Sequence, residues 1–370
     1  MVHPAFWQGK RVFITGHTGF KGSWLALWLQ HMGAQVTGYA RPALESAELP
    51  SLYRLCQLST HSENPLQNFE ADICDLPRLQ KAMQAAAPDV VLHLAAQALV
   101  RYAYQEPVET YASNVMGSVH VLEAVRHTPG VRAVVMVTSD KCYENREWLW
   151  GYREDEAMGG YDPYSSSKGC AELVTAAYRR SYFPEAHFAE HKVAIASARA
   201  GNVIGGGDWS ADRLLPDMLK AFMQQQPVAI RNPQAQRPWQ HVLEPLHGYL
   251  LLAEKLYDQG LPFAQAWNFG PYDHDAWPVQ HVADRLQQLW GTGAQWQDCS
   301  DPNAPHEAHL LKLDSSKARR QLGWQPCLGV EEALEWTVAW AKAWQAGKDM
   351  RASTLAQLEA YMARSAEVSA

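Results

Sequence analysis

Several features that mark particular classes of protein are missing from this chain of 370 residues. It has no apolar run of about 18 residues, the length that a membrane helix needs, so we expect no membrane span. Its N-terminus lacks a charged segment followed by an apolar core, so we expect no signal peptide and a cytoplasmic location. The net charge is −7 and no basic cluster is present, which disfavours nucleic acid as the main partner. Internal repeats and low-complexity segments are absent as well.

Cysteine is scarce, and no two cysteines form a Cys-x-x-Cys motif. The six cysteines therefore argue against a zinc ribbon or a redox dithiol, and a chain of this length needs no disulfide scaffold. We expect the thiols to be reduced. His187 and His191 have a spacing that can bind a metal on a helix, but no third ligand is evident. The sequence therefore predicts no metal site.

Apolar strands alternate with helices along residues 1–199. Residues 11–15 form a predicted strand that ends at a glycine, 23–29 a helix and 35–39 a second strand. The pattern continues with strands at 90–94, 133–137 and 193–196, and with helices at 76–86, 108–126 and 164–181. Buried strands that alternate with helices predict an α/β fold with a Rossmann-type, doubly wound parallel sheet.

After residue 200 this alternation breaks into short pieces at glycines and prolines. The change predicts a smaller, mixed C-terminal domain, residues 200–370, over the carboxyl edge of the sheet, where doubly wound folds bind ligands. We expect its segment 237–262 to pack back onto the first domain. Residues 331–370 are predicted to be helical.

A glycine-rich turn at residues 15–22 joins the first strand to the first helix of the predicted sheet. Gly16 permits the tight bend, Gly19 lets the backbone approach a pyrophosphate, and Gly22 lets the helix pack closely on the strand. The helix N-terminus adds N–H groups that favour phosphate. The turn therefore predicts dinucleotide binding by Gly16, His17, Thr18, Gly19, Phe20, Lys21 and Gly22. Lys21 either contacts a phosphate or faces solvent.

Tyr164 and Lys168 lie one helical turn apart, so their side chains face the same way. We expect the charge of Lys168 to lower the pKa of the phenol, whose anion then acts as a general base at a substrate hydroxyl. This pair downstream of the glycine turn predicts nicotinamide-dependent chemistry on a hydroxyl or carbonyl group. The choice between NAD and NADP stays open, because Arg41 follows the second strand where an aspartate often binds the ribose of NAD.

Further motifs resemble the extended class of the short-chain dehydrogenase/reductase superfamily over essentially the whole chain. The matching strings are residues 72–75, 93–97, 114–117, 199–205, 267–270 and 313–318. This resemblance implies NAD as the cofactor, since the reaction regenerates it in each cycle. The cofactor contacts that it implies beyond the glycine turn are Asp72, Ile73, Leu94, Ala95, Ala96, Tyr164 and Lys168.

Within that superfamily, residues 138–141 are similar to the motif of the sugar-nucleotide 4,6-dehydratases, with Lys141 where glutamate is usual. The glycine turn and residues 237–242 are similar to the branch that acts on CDP-sugars. The resemblance implies oxidation of the sugar at C4, loss of water across C5 and C6, and return of the hydride to C6. In that reaction Tyr164 is the base at the C4 hydroxyl, and Ser139 hydrogen-bonds the same oxygen.

The same resemblance implies that Asp140 is the acid toward the C6 hydroxyl and that Lys141 is the base at C5. Asp140 must then be protonated and Lys141 neutral when they act. Desolvation favours both states, whereas the attraction between the charged forms opposes them. The sequence leaves that balance open.

The substrate contacts are predicted partly because guanidinium groups suit phosphate oxygens. The candidates are Gln97, Arg199, Asn202, Arg231, Arg237 and His306. The resemblance also implies a homodimer through helices 108–126 and 164–181, and a product that feeds deoxysugars into bacterial surface polysaccharides such as the O-antigen of lipopolysaccharide. Two alternatives stay open: another sugar-nucleotide dehydratase, epimerase or reductase, and a catalytically silent NAD-binding sensor.

Overall fold

The structure is a computed structural model that describes residues 1–43, 49–61, 64–300 and 310–369. Its strands are β1 Arg11–Thr15, β2 Gln35–Ala40, β3 Gln67–Glu70, β4 Val90–His93, β5 Ala133–Val137, β6 Ala194–Ala200, β7 Asn202–Ile204, β8 Val228–Ile230, β9 Gln236–His241, β10 Ala266–Phe269, β11 Ala276–Pro278 and β12 Trp296–Asp298. Its α-helices are α1 Pro4–Trp7, α2 Phe20–His31, α3 Leu52–Leu55, α4 Leu76–Ala86, α5 Val100–Gln105, α6 Pro107–Tyr111, α7 Gly117–Arg126, α8 Pro163–Ser181, α9 Phe188–His191, α10 Leu214–Met223, α11 Leu243–Gln259, α12 Val279–Trp290, α13 Val330–Gln345 and α14 Met350–Ser369.

Seven strands form one parallel sheet in the order β10-β6-β5-β4-β1-β2-β3. The prediction of a doubly wound parallel sheet is therefore confirmed. The register aligns the carboxyl ends of three neighbouring strands, because Thr15 of β1 pairs with Tyr39 of β2 and His93 of β4. The loops that follow these ends consequently open on one edge of the sheet, where doubly wound folds bind ligands.

The sheet is covered on both faces, since its strands are apolar on both sides. One face packs against α2 and α11, with Trp24, Trp28 and Leu246 fully buried. The other face packs against α4 and α7, with Leu79 and Val121 fully buried. A sheet enclosed in this way explains why its central strands are continuous hydrophobic runs.

A second layer of smaller sheets lies beyond the carboxyl edge. It consists of β7, β9 and β11 in one sheet and β8 with β12 in another, packed with α10, α12 and α13 around a separate apolar cluster. Helix α11, which spans most of the segment 237–262, contacts β5 and β6 of the large sheet. Strand β10 also joins that sheet, although it lies in the stretch predicted for the second domain.

The region predicted as one helix over residues 108–126 has three parts in the structure. It comprises α6, a π-helical turn at Ala112–Met116, and α7. Short π-helical turns inside α-helices frequently accompany functional sites. Within the described ranges, no helix is long and apolar enough to cross a membrane.

Candidate active site

The glycine turn between β1 and α2 is built for close backbone approach. Gly16 has a φ of +78°, and a Cβ atom there would lie 2.7 Å from the backbone nitrogen of Ala95. A Cβ atom at Gly22 would lie 2.1 Å from the carbonyl oxygen of Gly16. At Gly19, by contrast, a Cβ atom would meet only an ordinary contact at 3.4 Å. The fold itself thus requires Gly16 and Gly22, whereas Gly19 leaves a cradle in front of the helix.

Helix α2 begins at that cradle, and no side chain of the described residues caps its N-terminus. Its first N–H groups can therefore bind an anion such as a pyrophosphate. Thr18 fixes the turn by donating a hydrogen bond to the carbonyl oxygen of Arg41 at 3.0 Å. The imidazole of His17 is buried and bonds the Asn68 side chain through Nε2 at 2.8 Å, and burial lowers its pKa to about 4. His17 is consequently a neutral, inward-facing part of the turn.

Lys21 lies on the first turn of α2 among other charged groups. Burial lowers the pKa of its ammonium to about 7, and the positive charges of Arg213 and Lys168 act in the same direction. The carboxylates of Asp140 and Asp208 oppose that change. The structure thus places Lys21, with a partly buried side chain, within electrostatic reach of the predicted catalytic residues, and its contact with a phosphate stays a prediction.

The loop after β4 is held by a buried polar network. His93 Nδ1 bonds the hydroxyl of Thr15 at 2.7 Å, and that hydroxyl accepts a hydrogen bond from the amide of Ala95 at 3.2 Å. Asn114, in the π-helical turn, accepts from the amide of Gln97 at 2.9 Å and donates to the hydroxyl of Ser167 at 2.8 Å. Asn114 therefore ties this loop, with the predicted cofactor contacts Leu94, Ala95 and Ala96, to helix α8.

Helix α8 presents Tyr164 and Lys168 to the same region. Asp162 caps the helix by accepting from the amide of Ser165 at 2.9 Å. Burial raises the pKa of Tyr164 to about 12, while a hydrogen bond with Ser139 and the charge of Arg213 lower it. The pKa of Lys168 falls to about 8, because burial disfavours its charge. The phenol pKa is therefore raised, whereas the spacing of Tyr164 and Lys168 predicted a lowered one, because burial dominates in this structure.

The segment after β5 carries Ser139, Asp140 and Lys141 in a short 3₁₀ turn. The hydroxyl of Ser139 donates to Asp140 Oδ1 at 2.9 Å and accepts from the amide of Lys141 at 3.2 Å. Burial raises the pKa of Asp140, and the charge of Lys141 opposes that change. Since Ser139 also lowers the pKa of Tyr164, as a hydrogen-bonding group close to the phenol does, the structure brings the serine, the aspartate and the phenol into one cluster.

Gly201, between β6 and β7, forms one wall of this cluster. A Cβ atom at Gly201 would lie 2.7 Å from Asp140 Oδ2. The same position would be 3.5 Å from Pro238 Cγ of β9. The carboxyl of Asp140 therefore lies directly against the chain where it leaves the large sheet for the smaller one.

Two charged residues beside this cluster were missed in the sequence. Arg213 forms an ion pair with the buried carboxylate of Asp208 at 3.1 Å, and its charge acts on both Tyr164 and Lys21. The sequence feature that could have indicated these two residues is the run of three glycines at 205–207, which directly precedes Asp208. In the structure, Gly206 packs tightly on Trp340, since a Cβ atom there would lie 2.1 Å from the indole ring.

Arg199 is a correction to the predicted substrate contacts. Its guanidinium donates to the Glu172 carboxylate at 2.8 Å and to the Tyr143 hydroxyl at 2.6 Å. The side chains of Arg199 and Glu172 are 3% and 5% exposed. Glu172 also accepts hydrogen bonds from the hydroxyls of Thr138 and Ser197. Because this arginine is enclosed within the protein, it is not available to a diphosphate.

The other predicted substrate contacts are more scattered. The Gln97 amide bonds its own loop at Leu99 and the hydroxyl of Thr110, so it supports the loop. Arg231 is exposed and pairs with Asp212 at 3.2 Å. Asn202 and Arg237 lie in the small sheet, where Asn202 pairs with Trp239 two residues along from Arg237. His306 lies outside the described residues.

The loop predicted to contact the adenine follows β3. Asp72 Oδ1 accepts from the amide of Cys74 at 2.8 Å, and the hydroxyl of Tyr39 donates to the Asp72 carbonyl at 3.0 Å. Ile73 packs against the start of α7, because a Cβ atom at Gly117 would lie 2.9 Å from its side chain. Within the part of the chain that the structure covers, no cluster of three or more His, Cys, Asp or Glu residues could hold a metal ion.

Comparisons with known proteins agree with this architecture. A family model described as GDP-mannose 4,6 dehydratase matches residues 13–337. The CDP-glucose 4,6-dehydratase of Salmonella typhimurium is 54% identical over 98% of this chain and 99% of its own. The dTDP-glucose 4,6-dehydratase of Neisseria gonorrhoeae is 25% identical over 90% and 95% of the two chains. The crystal structure of a UDP-glucose 4-epimerase from Thermotoga maritima superposes with a TM-score of 0.74 at 22% identity, over 89% of this chain and 97% of that one.

Proposed function

Since the chain belongs to the GDP-mannose 4,6-dehydratase family, we propose that it converts CDP-glucose to CDP-4-dehydro-6-deoxyglucose with NAD as its cofactor. The proposal is carried by one observation, the joining of Ser139, Asp140 and Tyr164 in a buried cluster at the carboxyl edge of the sheet. The choice of CDP-glucose follows the extensive identity to the Salmonella enzyme.

The residues of the turn fit a dinucleotide. The open cradle at Gly19 and the uncapped start of α2 suit a pyrophosphate, and Gly16 and Gly22 keep that approach clear. Asp72 and Ile73 would hold the adenosine end, and Lys168 with Tyr164 the nicotinamide end. When bound, NAD would supply the acceptor for the hydride from C4, and its reduced form would supply the donor of that hydride to C6.

The first chemical step needs a base at the C4 hydroxyl, and Tyr164 has that role. The Ser139 hydroxyl hydrogen-bonds the same C4 oxygen of the sugar. Lys168, on the next helical turn, favours the phenolate form of Tyr164 by its charge. The positive charge of Arg213 acts in the same direction. Removal of the hydroxyl proton and of the C4 hydride leaves a ketone at C4, which acidifies the proton on C5.

The second step needs an acid and a base on neighbouring carbons. Asp140 protonates the C6 hydroxyl so that it leaves as water, and Lys141 takes the proton from C5. The raised pKa of Asp140 supports the protonated form that the acid requires. Saturation of the resulting double bond places hydride on C6 and a proton on C5, so the sugar is a 4-keto-6-deoxy product.

The nucleotide of the substrate lies between the two layers. Arg213 acts on the cluster by its charge, Asn202 and Arg237 lie in the small sheet, and Arg231 is exposed on the same layer. The guanidinium groups and the Asn202 amide suit the oxygens of a diphosphate. His306 remains a predicted contact. Arg199 is left out of this set because of its buried ion pair.

The enzyme is proposed to be a cytoplasmic homodimer. Apolar side chains are exposed on the surface formed by α5 to α8, and they would be covered by a second copy: Tyr104, Val108, Tyr111, Met116 and Leu173. The six cysteines are unpaired, as suits a reducing compartment. The product would supply the synthesis of deoxysugars for surface polysaccharides.

The test is to incubate purified protein and NAD separately with CDP-glucose, GDP-mannose, dTDP-glucose and UDP-glucose, and to analyse the products by mass spectrometry. We expect loss of water from CDP-glucose and little turnover of the others. Preferred dehydration of a different sugar nucleotide would contradict the substrate. Epimerisation without loss of water would contradict the reaction, and binding of NAD without turnover of any sugar nucleotide would indicate a sensor.

A further inference from the structure

Arg41 directly follows the last residue of β2. In dinucleotide-binding folds, the residue at this position contacts the ribose of the adenosine. NAD-specific sites usually place a carboxylate there to bind the 2′-hydroxyl, and an arginine nearby accommodates the 2′-phosphate of NADP. By that rule, Arg41 alone would favour NADP. Its carbonyl accepts the hydrogen bond from Thr18, so the residue is attached directly to the glycine turn.

The guanidinium of Arg41 lies beside two carboxylates among the described residues. Glu109 Oε1 is 3.0 Å from Arg41 Nη1, and Asp72 Oδ2 is 4.0 Å from the same atom. Glu109 comes from α6, which lies in the crossover after β4, and Asp72 comes from the loop after β3. Two elements other than β2 therefore deliver negative charge to the end of β2.

Glu109 is held in place from its other side. The hydroxyl of Tyr102, on α5, donates a hydrogen bond to Glu109 Oε2, while Arg41 donates to Oε1. These two hydrogen bonds hold the pKa of Glu109 below its usual range, so the side chain is a carboxylate at neutral pH. Hydrogen bonds at both oxygens fix its position although it is partly exposed.

This arrangement has different consequences for the two dinucleotides. The 2′-phosphate of NADP carries about −1.5 to −2 charges at neutral pH. It would have to displace Glu109 from Arg41 and would still face the carboxylate of Asp72. The 2′-hydroxyl of NAD carries no charge and can donate a hydrogen bond to a carboxylate.

We propose that Glu109 makes this site select NAD over NADP, because it neutralises Arg41 and supplies from helix α6 the carboxylate that β2 lacks. The inference rests on the proposed function, since it assumes that the glycine turn binds a nicotinamide dinucleotide. It adds to that function a residue that determines the choice of cofactor and that lies outside the predicted catalytic cluster.

The test compares the dissociation constants of NAD and NADP for protein stripped of cofactor, measured by isothermal titration calorimetry. We expect the wild-type protein to bind NAD more tightly. Glu109→Gln keeps an acceptor for Tyr102 but removes the charge, and it should tighten NADP binding roughly tenfold or more, as one added charge-assisted hydrogen bond would. Its affinity for NAD should fall by roughly threefold to tenfold, since the 2′-hydroxyl would then donate to a neutral amide oxygen in place of a carboxylate.

Two further variants separate the local effect from net charge. Glu332→Gln, which disrupts the pair with Arg364 at 2.7 Å on α13 and α14, changes the protein's charge equally and should leave the NADP constant unaltered. Adding Arg41→Ala to Glu109→Gln should abolish the gain. The proposal is overturned if Glu109→Gln leaves NADP binding unchanged, or if Glu332→Gln strengthens it as much. If the wild-type protein binds neither dinucleotide, the proposed function itself is wrong and this inference falls with it.

Discussion

Replacing Glu172 with glutamine tests the reassignment of Arg199 from the substrate to the protein interior. Glu172 and Arg199 are 2.8 Å apart and almost fully buried. The substitution preserves most of the volume and hydrogen bonds but leaves the guanidinium without its counter-charge. Breaking a buried ion pair in this way costs about 3–5 kcal/mol. That is a large part of the roughly 5–15 kcal/mol that stabilises a typical fold.

The assay is urea denaturation followed by tryptophan fluorescence, together with the KM for CDP-glucose of the folded protein. The matched control is Glu123→Gln. The Glu123 carboxylate lies 2.6 Å from the Arg126 guanidinium in a partly exposed ion pair, which should contribute no more than about 1 kcal/mol to the free energy of unfolding. We expect a large loss of stability in Glu172→Gln, a small one in the control, and the same KM in both. A Glu172 variant as stable as the control but with a raised KM would refute the structural role of Arg199.

Two other predictions concern the active-site wall and the pH dependence of stability. Gly201→Ala places a Cβ atom 2.7 Å from Asp140 Oδ2, so it should displace that carboxyl and lower kcat by roughly tenfold to a hundredfold. The affinity for NAD, measured by calorimetry, should be unchanged. An unaltered kcat would show that catalysis does not require the Asp140 carboxyl at this position. Burial raises the pKa of Glu244 from its ordinary 4.5 to about 7, so its stabilising contribution is complete below pH 4.5 and is lost as the pH rises through about 7. Glu244→Gln should remove up to about 3 kcal/mol of this dependence between acidic and neutral pH, as measured by urea denaturation; a variant with the same pH dependence as the wild-type protein would contradict it.

The large sheet could be predicted because its central strands are apolar on both faces. Five of its seven strands, β1, β2, β4, β5 and β6, follow from that pattern. β3 was missed because its residues, Gln-Asn-Phe-Glu, are mostly polar, as an edge strand allows. β10 was missed because it follows a long stretch of the other layer, and its pairing with β6 is a contact that no local pattern reveals.

Within the candidate site, the local motifs were the more predictable part. Tyr164 and Lys168 share a helical face by spacing alone, and Gly16 and Gly22 are required by contacts that a turn of this kind must make. Arg199 was misinterpreted because an arginine beside a predicted ligand edge looks the same in sequence whether it faces a phosphate or a buried carboxylate. Its partner Glu172 lies 27 residues earlier on another element.

Long-range charge was the least predictable property. The sequence favoured a lowered phenol pKa at Tyr164 through Lys168, whereas burial dominates in the structure. The neutralisation of Arg41 likewise depends on Glu109, 68 residues away in the chain. Such effects follow from which side chains the tertiary fold encloses together, and spacing along one helix or strand does not contain that information.

The most direct test of the proposed mechanism is a single turnover of CDP-glucose by Asp140→Asn protein loaded with NAD, following reduced nicotinamide by absorbance and the sugar by mass spectrometry. Because the asparagine cannot protonate the C6 hydroxyl, we expect reduced nicotinamide to form and persist while no water is lost. Formation of the 4-keto-6-deoxy sugar at the wild-type rate would contradict the assignment of Asp140 as the acid.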